Sequence, residues 1–510
     1  MHPDHEVAVV GGGFSGIGAA IALTKAGIEE FVVIEEGDGV GGAWHWNTYP
    51  GVGVDIPSFS YQFSYEQRSD WSRTYAPGTE LKAYAESLVD DYGLRPKVRL
   101  NTRITSARFD EEHDLWHLAT GEGDELTARH VIGATGVLTQ PKPPAIAGLE
   151  DFQGETVHTA RWDHALALAG KRVAVIGTGA SAVQLIPSIA PEVRALTVFQ
   201  RTPIWCLPKL DKPLPGLLRS ALARVPGAKW ALRAVSQSYV ELTFPIAAHY
   251  AGVLPLPKAG EAIARRHLRQ QVQDPQLRAK LTPAYSLGCK RPSFSNAYLR
   301  AFNRANVALE TTPIERVTAT GVRTADGTEH PVDVLVLATG FKVFEAGNMP
   351  PFPVTGAGGG DLDGFWRENR FQAYQGVSVP GFPNFFSILG PYGYNGASYF
   401  TLIENQMRHI TRCLLRARDQ QATRVEVTEA ANARFFDEVL SRRGNQVFFQ
   451  GSCGASNSYY FDVNGDVPFR PASTLEAAWR SGHFDLDDYR FTGADRPAAA
   501  LIASETASPS

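Results

Sequence analysis

The sequence predicts an α/β protein: two Rossmann-like dinucleotide-binding domains with a helical insertion. Three observations carry that expectation. A glycine loop, Gly11-Gly12-Gly13-Phe14-Ser15-Gly16, follows a short apolar run, and a second, Gly177-Thr178-Gly179-Ala180-Ser181-Ala182, follows another. Each loop is followed by a stretch with helical periodicity. Residues 211–287 then change character, becoming rich in Ala, Leu and Arg with few strand signals. A chain of 510 residues has room for roughly two to four domains.

Val7 to Val10 is the apolar run of a buried parallel strand, and Ile17 to Ala26 reads as the helix after the first loop. Gly11, Gly13 and Gly16 allow a tight turn, close approach of backbone to a pyrophosphate, and close packing of helix on strand. The phosphates would meet the N–H groups at the helix start. A second strand, Phe31 to Ile34, ends at Glu35, about twenty residues on, where an acid would hold a ribose hydroxyl. Between Gly39 and Ser64, Gly42, Trp44, Trp46, Tyr49 and a lone acid, Asp55, read as the wall of a flat ring system. Pro77 to Tyr92 is an amphipathic helix, and short strands follow up to Arg129 to Ala134, which ends in Ala134-Thr135-Gly136. The prolines of 140–149 mark a boundary.

The segment Phe152-x-Gly154-x-x-x-His158-x-x-x-Trp162-Asp163 joins the two units and is placed to meet both nucleotides. Taken alone, His158 reads as a structural hydrogen-bonding histidine. Lys171 to Ile176 is the first strand of the second unit. Its next strand, Leu196 to Phe199, leads into Gln200-Arg201-Thr202. An acid after the second strand favours a free ribose 2′-hydroxyl, and an arginine favours a 2′-phosphate. Glu35 therefore assigns FAD to the first unit and Arg201 assigns NADPH to the second. Farther on, Cys289-Lys290-Arg291-Pro292 precedes a second buried strand ending in Ala338-Thr339-Gly340. A helix is expected from about Tyr399 to Arg418 and another from Ala430 to Arg442. The turn-rich stretch 451–471 has the composition of a lid.

The boundaries expected from this reading are an FAD-binding domain over 1–145 and 376–495 and an NADP-binding domain over 146–210 and 288–375. The helical insertion occupies 211–287, and 496–510 is a disordered tail. A net charge of −4 gives no footprint for nucleic acid. The apolar stretch Leu242 to Pro257 is too short and too broken for a transmembrane segment, and the start shows no signal-peptide pattern, so a cytoplasmic protein is expected. The four cysteines are far apart in sequence and form no CxxC, which argues against a redox dithiol and against a metal site.

Together these motifs resemble the type I Baeyer–Villiger monooxygenases, within the class B flavoprotein monooxygenases, from about Val7 to Tyr489. The segment from Phe152 to Asp163 matches that family's fingerprint. The sister N- and S-oxygenating flavin-containing monooxygenases, the alternative reading, typically carry Tyr or Phe and then Lys where Trp162 and Asp163 stand. The resemblance implies that NADPH reduces FAD and that the reduced flavin takes up O2 as a C4a-peroxyflavin. This attacks a ketone carbonyl, and the adduct rearranges to an ester or lactone. It implies that Arg291 is the fixed cation beside the flavin, that Asp55 pairs with and orients it, and that Lys290, Arg201 and Thr202 hold the 2′-phosphate. Three departures stand out: Asp163 after Trp162, Ser293 to Asn296 reading SFSN where an aspartate is frequent, and Tyr459 and Tyr460 where many members place a tryptophan. Neither the particular ketone nor the oligomeric state is legible.

Overall fold

The computed structural model describes residues 2–493; the tail expected to be disordered lies outside the described residues. Two sheets organise it. The first has eight strands in the order Val354–Thr355, Ile104–Asp110, Leu115–Thr120, Glu125–Gly133, His5–Val10, Phe31–Ile34, Val98–Arg99, with Phe385–Ser387 also paired to Glu125–Gly133. Its centre is parallel: Val10 lies opposite Ile34 on one side and Gly133 on the other. Ile104–Asp110, Leu115–Thr120 and Glu125–Gly133 form an antiparallel meander. The second sheet is parallel throughout, in the order Val307–Glu310, Ala195–Phe199, Arg172–Ile176, Val334–Leu337, Glu155–His158. Val7–Val10, Phe31–Ile34, Val173–Ile176 and Val334–Leu337 are buried along their whole length, as strands covered on both faces must be.

Helix Phe14–Lys25 is buried over most of its length because its small residues let other elements close on it. A side chain at Gly18 would meet Ile403 at 2.6 Å and Phe63 at 2.8 Å. Late segments return to the first sheet: Phe385–Ser387 pairs with Glu125–Gly133, and helix Tyr399–Gln420 packs on Phe14–Lys25. Val354–Thr355, within the segment 288–375, pairs with Ile104–Asp110.

The two sheets are joined by two strands of chain running side by side. Pro141 bridges Phe341, Lys142 N–H donates to Gly340 O at 2.9 Å, and Lys342 N–H donates to Gln140 O at 3.0 Å. His158 ends the edge strand of the second sheet beside this crossover, with Nε2 at 3.3 Å from the Thr339 hydroxyl. Burial, and then the charge of Arg161, hold its pKa below the ordinary histidine value.

Residues 216–280 form helices Gly216–Arg224, Ala228–Glu241, Leu256–Gln271 and Pro275–Lys280. The first two dock on the first unit through Leu222 and Val240 and through polar contacts: Arg233 donates to Gln62 O at 2.7 Å, and Ser236 shares a hydrogen bond with Ser60; the last two pack on the second unit, with Leu268 in its core.

Cys289 and Cys453, 164 residues apart in sequence, form a disulfide with their Cα atoms 5.1 Å apart. Sequence spacing could not reveal it, because the pairing is made by the fold bringing the 451–471 stretch against the segment before Lys290. Both cysteines are buried.

Candidate functional site

A cavity of about 650 Å³ opens where the first sheet's strand ends face the second unit. Its size suits a cofactor-sized ligand. The first glycine loop forms one wall. Gly11 sits at φ +116°, where a side chain would strike Ala134 O at 2.5 Å, and a side chain at Gly16 would lie 1.8 Å from Gly11 O. Gly13 precedes the first turn of helix Phe14–Lys25, and its Cα lies 2.9 Å from where a Cβ on Gly42 would stand. The loop backbone therefore borders the cavity without side chains at Gly11, Gly13 and Gly42, while the Gly11 N–H donates to Ile34 O at 2.7 Å. Glu35 is buried at the cavity edge, and its carboxylate accepts from Gly12 N at 2.6 Å and Gly37 N at 2.8 Å. Burial raises its pKa, and these two hydrogen bonds work against the rise. Each oxygen keeps a free lone pair for a hydroxyl donor.

Trp44 and Trp46 line the cavity as expected. Trp44 Nε1 donates to Tyr61 OH at 3.2 Å, and the Arg161 guanidinium stacks 4.2 Å over the Trp46 ring. Arg161, inside the joining fingerprint, thus fastens the second unit to the aromatic wall of the first. Sequence reasoning did not single it out, since an arginine between two landmarks carries no signal of its own.

The second unit contributes Ser181, Gln184 and Arg291 to the same cavity. Gln184 is a residue that the motifs missed. From helix Ala180–Ile189 it donates to Gly53 O at 2.9 Å and Asp55 Oδ1 at 3.4 Å, and it accepts from Tyr49 OH at 2.8 Å. It holds the loop carrying Asp55 in one unit to the phosphate-loop helix of the other. Asp55 is largely buried, and its ion pair runs to Lys209 Nζ at 3.7 Å. Arg291 lines the same cavity, with its guanidinium 5.6 Å over the Phe244 ring. Among the described residues no ion pair within 4.0 Å joins Arg291 to Asp55, so the expected partnership is not a direct contact. The cation within ion-pair distance of Asp55 is Lys209. Burial keeps the Asp55 pKa above the ordinary carboxylate value, opposed by the charge of Lys209 and then that of Arg291.

Gly177, Gly179, Arg201, Thr202 and Lys290 do not line that cavity; they gather at the second glycine loop. Gly177 sits at φ +112° with Ala338 O 2.4 Å from its would-be Cβ, and Gly179 has nothing within 4 Å there, leaving open space before helix Ala180–Ile189. The Thr178 hydroxyl donates to Thr202 O at 2.9 Å, and Asn457 of the 451–471 stretch donates to the Thr202 hydroxyl at 2.8 Å. Lys290 is held down to about 8 by burial and by the nearby charge of Arg201. Two cations set near each other, with no acid among the charges acting on Lys290 in the described residues, are arranged for an anion.

The late stretch brings Tyr459 and Tyr460 to the cavity, with Tyr460 packed on Phe469 at 4.6 Å between ring centres. The Tyr399 hydroxyl shares a hydrogen bond of 2.8 Å with the Ser15 side chain inside the first glycine loop. The disulfide cysteines are not among the lining residues, so no dithiol faces the cavity.

The pyridine nucleotide-disulphide oxidoreductase family profile matches residues 8–211. A Baeyer-Villiger monooxygenase of Streptomyces coelicolor is 37% identical over 99% of this chain and 96% of its own length. Another, of Pseudomonas aeruginosa, is 37% identical over 97% of this chain and 93% of its own. Among solved structures, that of OTEMO in complex with FAD and NADP superposes with a TM-score of 0.86 at 28% identity, covering 96% of this chain and 100% of that one.

Proposed function

The chain belongs to the Baeyer–Villiger monooxygenases, and from that premise we propose how its own residues divide the work. The enzyme is an FAD-dependent, NADPH- and O2-consuming monooxygenase that inserts one oxygen atom beside a ketone carbonyl to give an ester or lactone. When bound, reduced FAD supplies the reaction with O2 and delivers one of its oxygen atoms to the substrate.

In this reading Gly11 makes the tight turn, the N–H groups at Gly13 and in the first turn of helix Phe14–Lys25, Gly16 included, hold the FAD pyrophosphate, and Glu35 takes a ribose hydroxyl. Gly42, Trp44 and Trp46 wall the ring system. Gly177, Gly179 and Ser181 hold the second pyrophosphate, and Arg201, Thr202 and Lys290 hold the 2′-phosphate. Residues 1–145 and 376–495 serve FAD; 146–210 and 288–375 serve NADP. The helical insertion 211–287 and the stretch 451–471 shape the ketone pocket. Arg291 is the cation that meets the negative charge developing on the transferred oxygen, because a guanidinium stays charged when buried and offers several donors. Asp55 sets the field around it. The observation that carries this reading is one cavity bordered by the first glycine loop, the two tryptophans, Asp55 and Arg291, which come from sequence regions far apart.

The partners are a ketone and O2. We assign no nucleic-acid partner, in keeping with the charge of −4, and a cytoplasmic location; no helix among the described residues is long and apolar enough to cross a membrane. The test is incubation with NADPH and air over linear, cyclic, aryl and steroidal ketones, one sulfide and one amine, with products read by mass spectrometry. A ketone gaining one oxygen as an ester or lactone upholds the reading; oxygen gained on sulfur or nitrogen alone overturns it.

Two outcomes are expected at the 2′-phosphate group. Arg201→Ala narrows the preference for NADPH over NADH by about tenfold or more in kcat/KM, since the phosphate loses a charge partner. An unchanged ratio would show that Arg201 does not read the phosphate. The second is a pH dependence. Lys290 titrates near 8, below its ordinary value, and loses its charge as pH rises through that point. The kcat/KM for NADPH should therefore fall on raising pH past about 8 while that for NADH does not, and Lys290→Met should abolish the difference.

A further inference from the structure

Lys209 belongs to none of the motifs, yet it makes the closest ionic contact of Asp55. Its Nζ lies 3.7 Å from Asp55 Oδ1 and donates to Val54 O at 3.0 Å, and the Tyr75 ring centre is 4.9 Å away. The lysine side chain is 16% exposed and the aspartate 14%, so the pair is shielded from solvent. A buried charge is costly unless paired and hydrogen-bonded, so a lysine held here has a structural reason to stay.

The chain aims Lys209 deliberately. Cys206 and Leu207 pair in parallel with Ser293 and Phe294. Just beyond that ladder, Asn296 takes the Lys209 backbone from both sides: Lys209 N–H donates to its Oδ1 at 3.1 Å, and its Nδ2 donates to Lys209 O at 2.7 Å. The residue that fixes Lys209 thus lies at the end of the stretch Ser293 to Asn296, which departs from the family pattern after CKRP. Arg291 lies two residues before the ladder and Lys209 two residues after it, so one short ladder carries both cations of the Asp55 neighbourhood.

We propose that Lys209 is a positioning residue for the oxygenation: its buried pair with Asp55 keeps that carboxylate ionised and fixed, and so sets the field in which Arg291 works. The proposal rests on the roles of Asp55 and Arg291 given above. Asp55 is faced by two cations, Lys209 and Arg291, and by the Gln184 amide. The remaining titratable groups in its field are Tyr49, Tyr75, Tyr459 and Cys206, all raised above their ordinary values, Cys206 to about 12. None of these changes charge near neutrality. Burial pushes the Asp55 pKa up and Lys209 is the largest charge opposing it, so removing Lys209 moves the protonation of Asp55 to higher pH.

The experiment compares wild type, Lys209→Met, Lys209→Gln and Lys209→Arg. In cofactor-free protein, the protonated-carboxyl infrared band that disappears in Asp55→Asn is titrated against pH. In the holoenzyme, ester formed per NADPH consumed, with hydrogen peroxide as the remainder, is measured over the same range. The expected result is a shift of the band's titration by about one unit or more to higher pH in Lys209→Met and Lys209→Gln, with the acid limb of ester coupling moving in step. Lys209→Arg should restore both. An unshifted band in Lys209→Met and Lys209→Gln overturns the proposal, as does coupling lost equally at all pH with no rescue by arginine. If wild type makes no ester from any ketone, the reading of the reaction fails; the pairing of Lys209 with Asp55 is then judged by the infrared titration alone.

Discussion

Arg291→Ala is expected to give a yellow protein that NADPH still reduces and that forms ester at no more than about one-hundredth of the wild-type rate. The separation of the two half-reactions follows from position. Arg291 lines the cavity and belongs to neither glycine loop. Its guanidinium acts where negative charge develops on oxygen, in a water-poor site where a fixed charge is worth far more than in bulk. NADPH consumption should continue, with hydrogen peroxide accounting for nearly all of it, because reduced flavin reacts with O2 whether or not the oxygen is passed on. Lysine should recover little, since an ammonium lacks the planar set of donors. Stopped-flow reduction, peroxide assay and product mass spectrometry on one preparation decide the matter. Ester at wild-type yield would remove Arg291 from the oxygen-transfer step, and a loss of flavin reduction equal to the loss of ester would make its role one of binding.

The second large effect is structural. Gly16→Ala should abolish FAD retention, because the added methyl would stand 1.8 Å from Gly11 O, far inside any real contact. The clash is backbone against side chain, so no rotamer relieves it. Helix Phe14–Lys25 must move off the end of strand His5–Val10, which takes the loop N–H groups out of reach of the pyrophosphate. The expected protein is colourless and destabilised by more than about 4 kcal/mol, or insoluble. Gly27→Ala is the control. Gly27, unlike Gly16, has a positive φ, +69°, and nothing lies within 4 Å of its would-be Cβ, so only the backbone preference of about 1 kcal/mol is lost and the flavin stays. Flavin absorbance and thermal unfolding of the two variants separate crowding from strain. If Gly16→Ala keeps its flavin, close packing of helix on strand is not what the third glycine provides.

Much of the site was legible because its logic is local. Three glycines after an apolar run state that a backbone must turn tightly and meet phosphate, and that statement needs no knowledge of the fold. Glu35 and Arg201 are read in the same way, from their distance along the chain to a glycine loop. Trp44, Trp46 and Asp55 were legible by composition: aromatics and one acid in an apolar setting. Gln184, Arg161 and Lys209 were not. Gln184 is one polar residue in a helix, Arg161 one cation in a fingerprint, and Lys209 one cation in a proline-rich turn, until tertiary packing sets them against Asp55 and Trp46. The disulfide between Cys289 and Cys453 was hidden for the same reason.

From sequence alone came two nucleotide units, their order, the acid and the arginine that tell them apart, and the resemblance that names the chemistry. These are properties of short stretches, in which spacing of a few residues is already geometry because strand, turn and helix have fixed rise and pitch. Only the tertiary structure decided which side chains of one unit touch the other: that Asp55 pairs with Lys209 while Arg291 stands apart, that Gln184 clamps the junction, and that Asn296 aims the lysine. Those contacts join residues more than eighty positions apart. They are selected by how two sheets and an insertion close around a common cavity, and no local period records that choice.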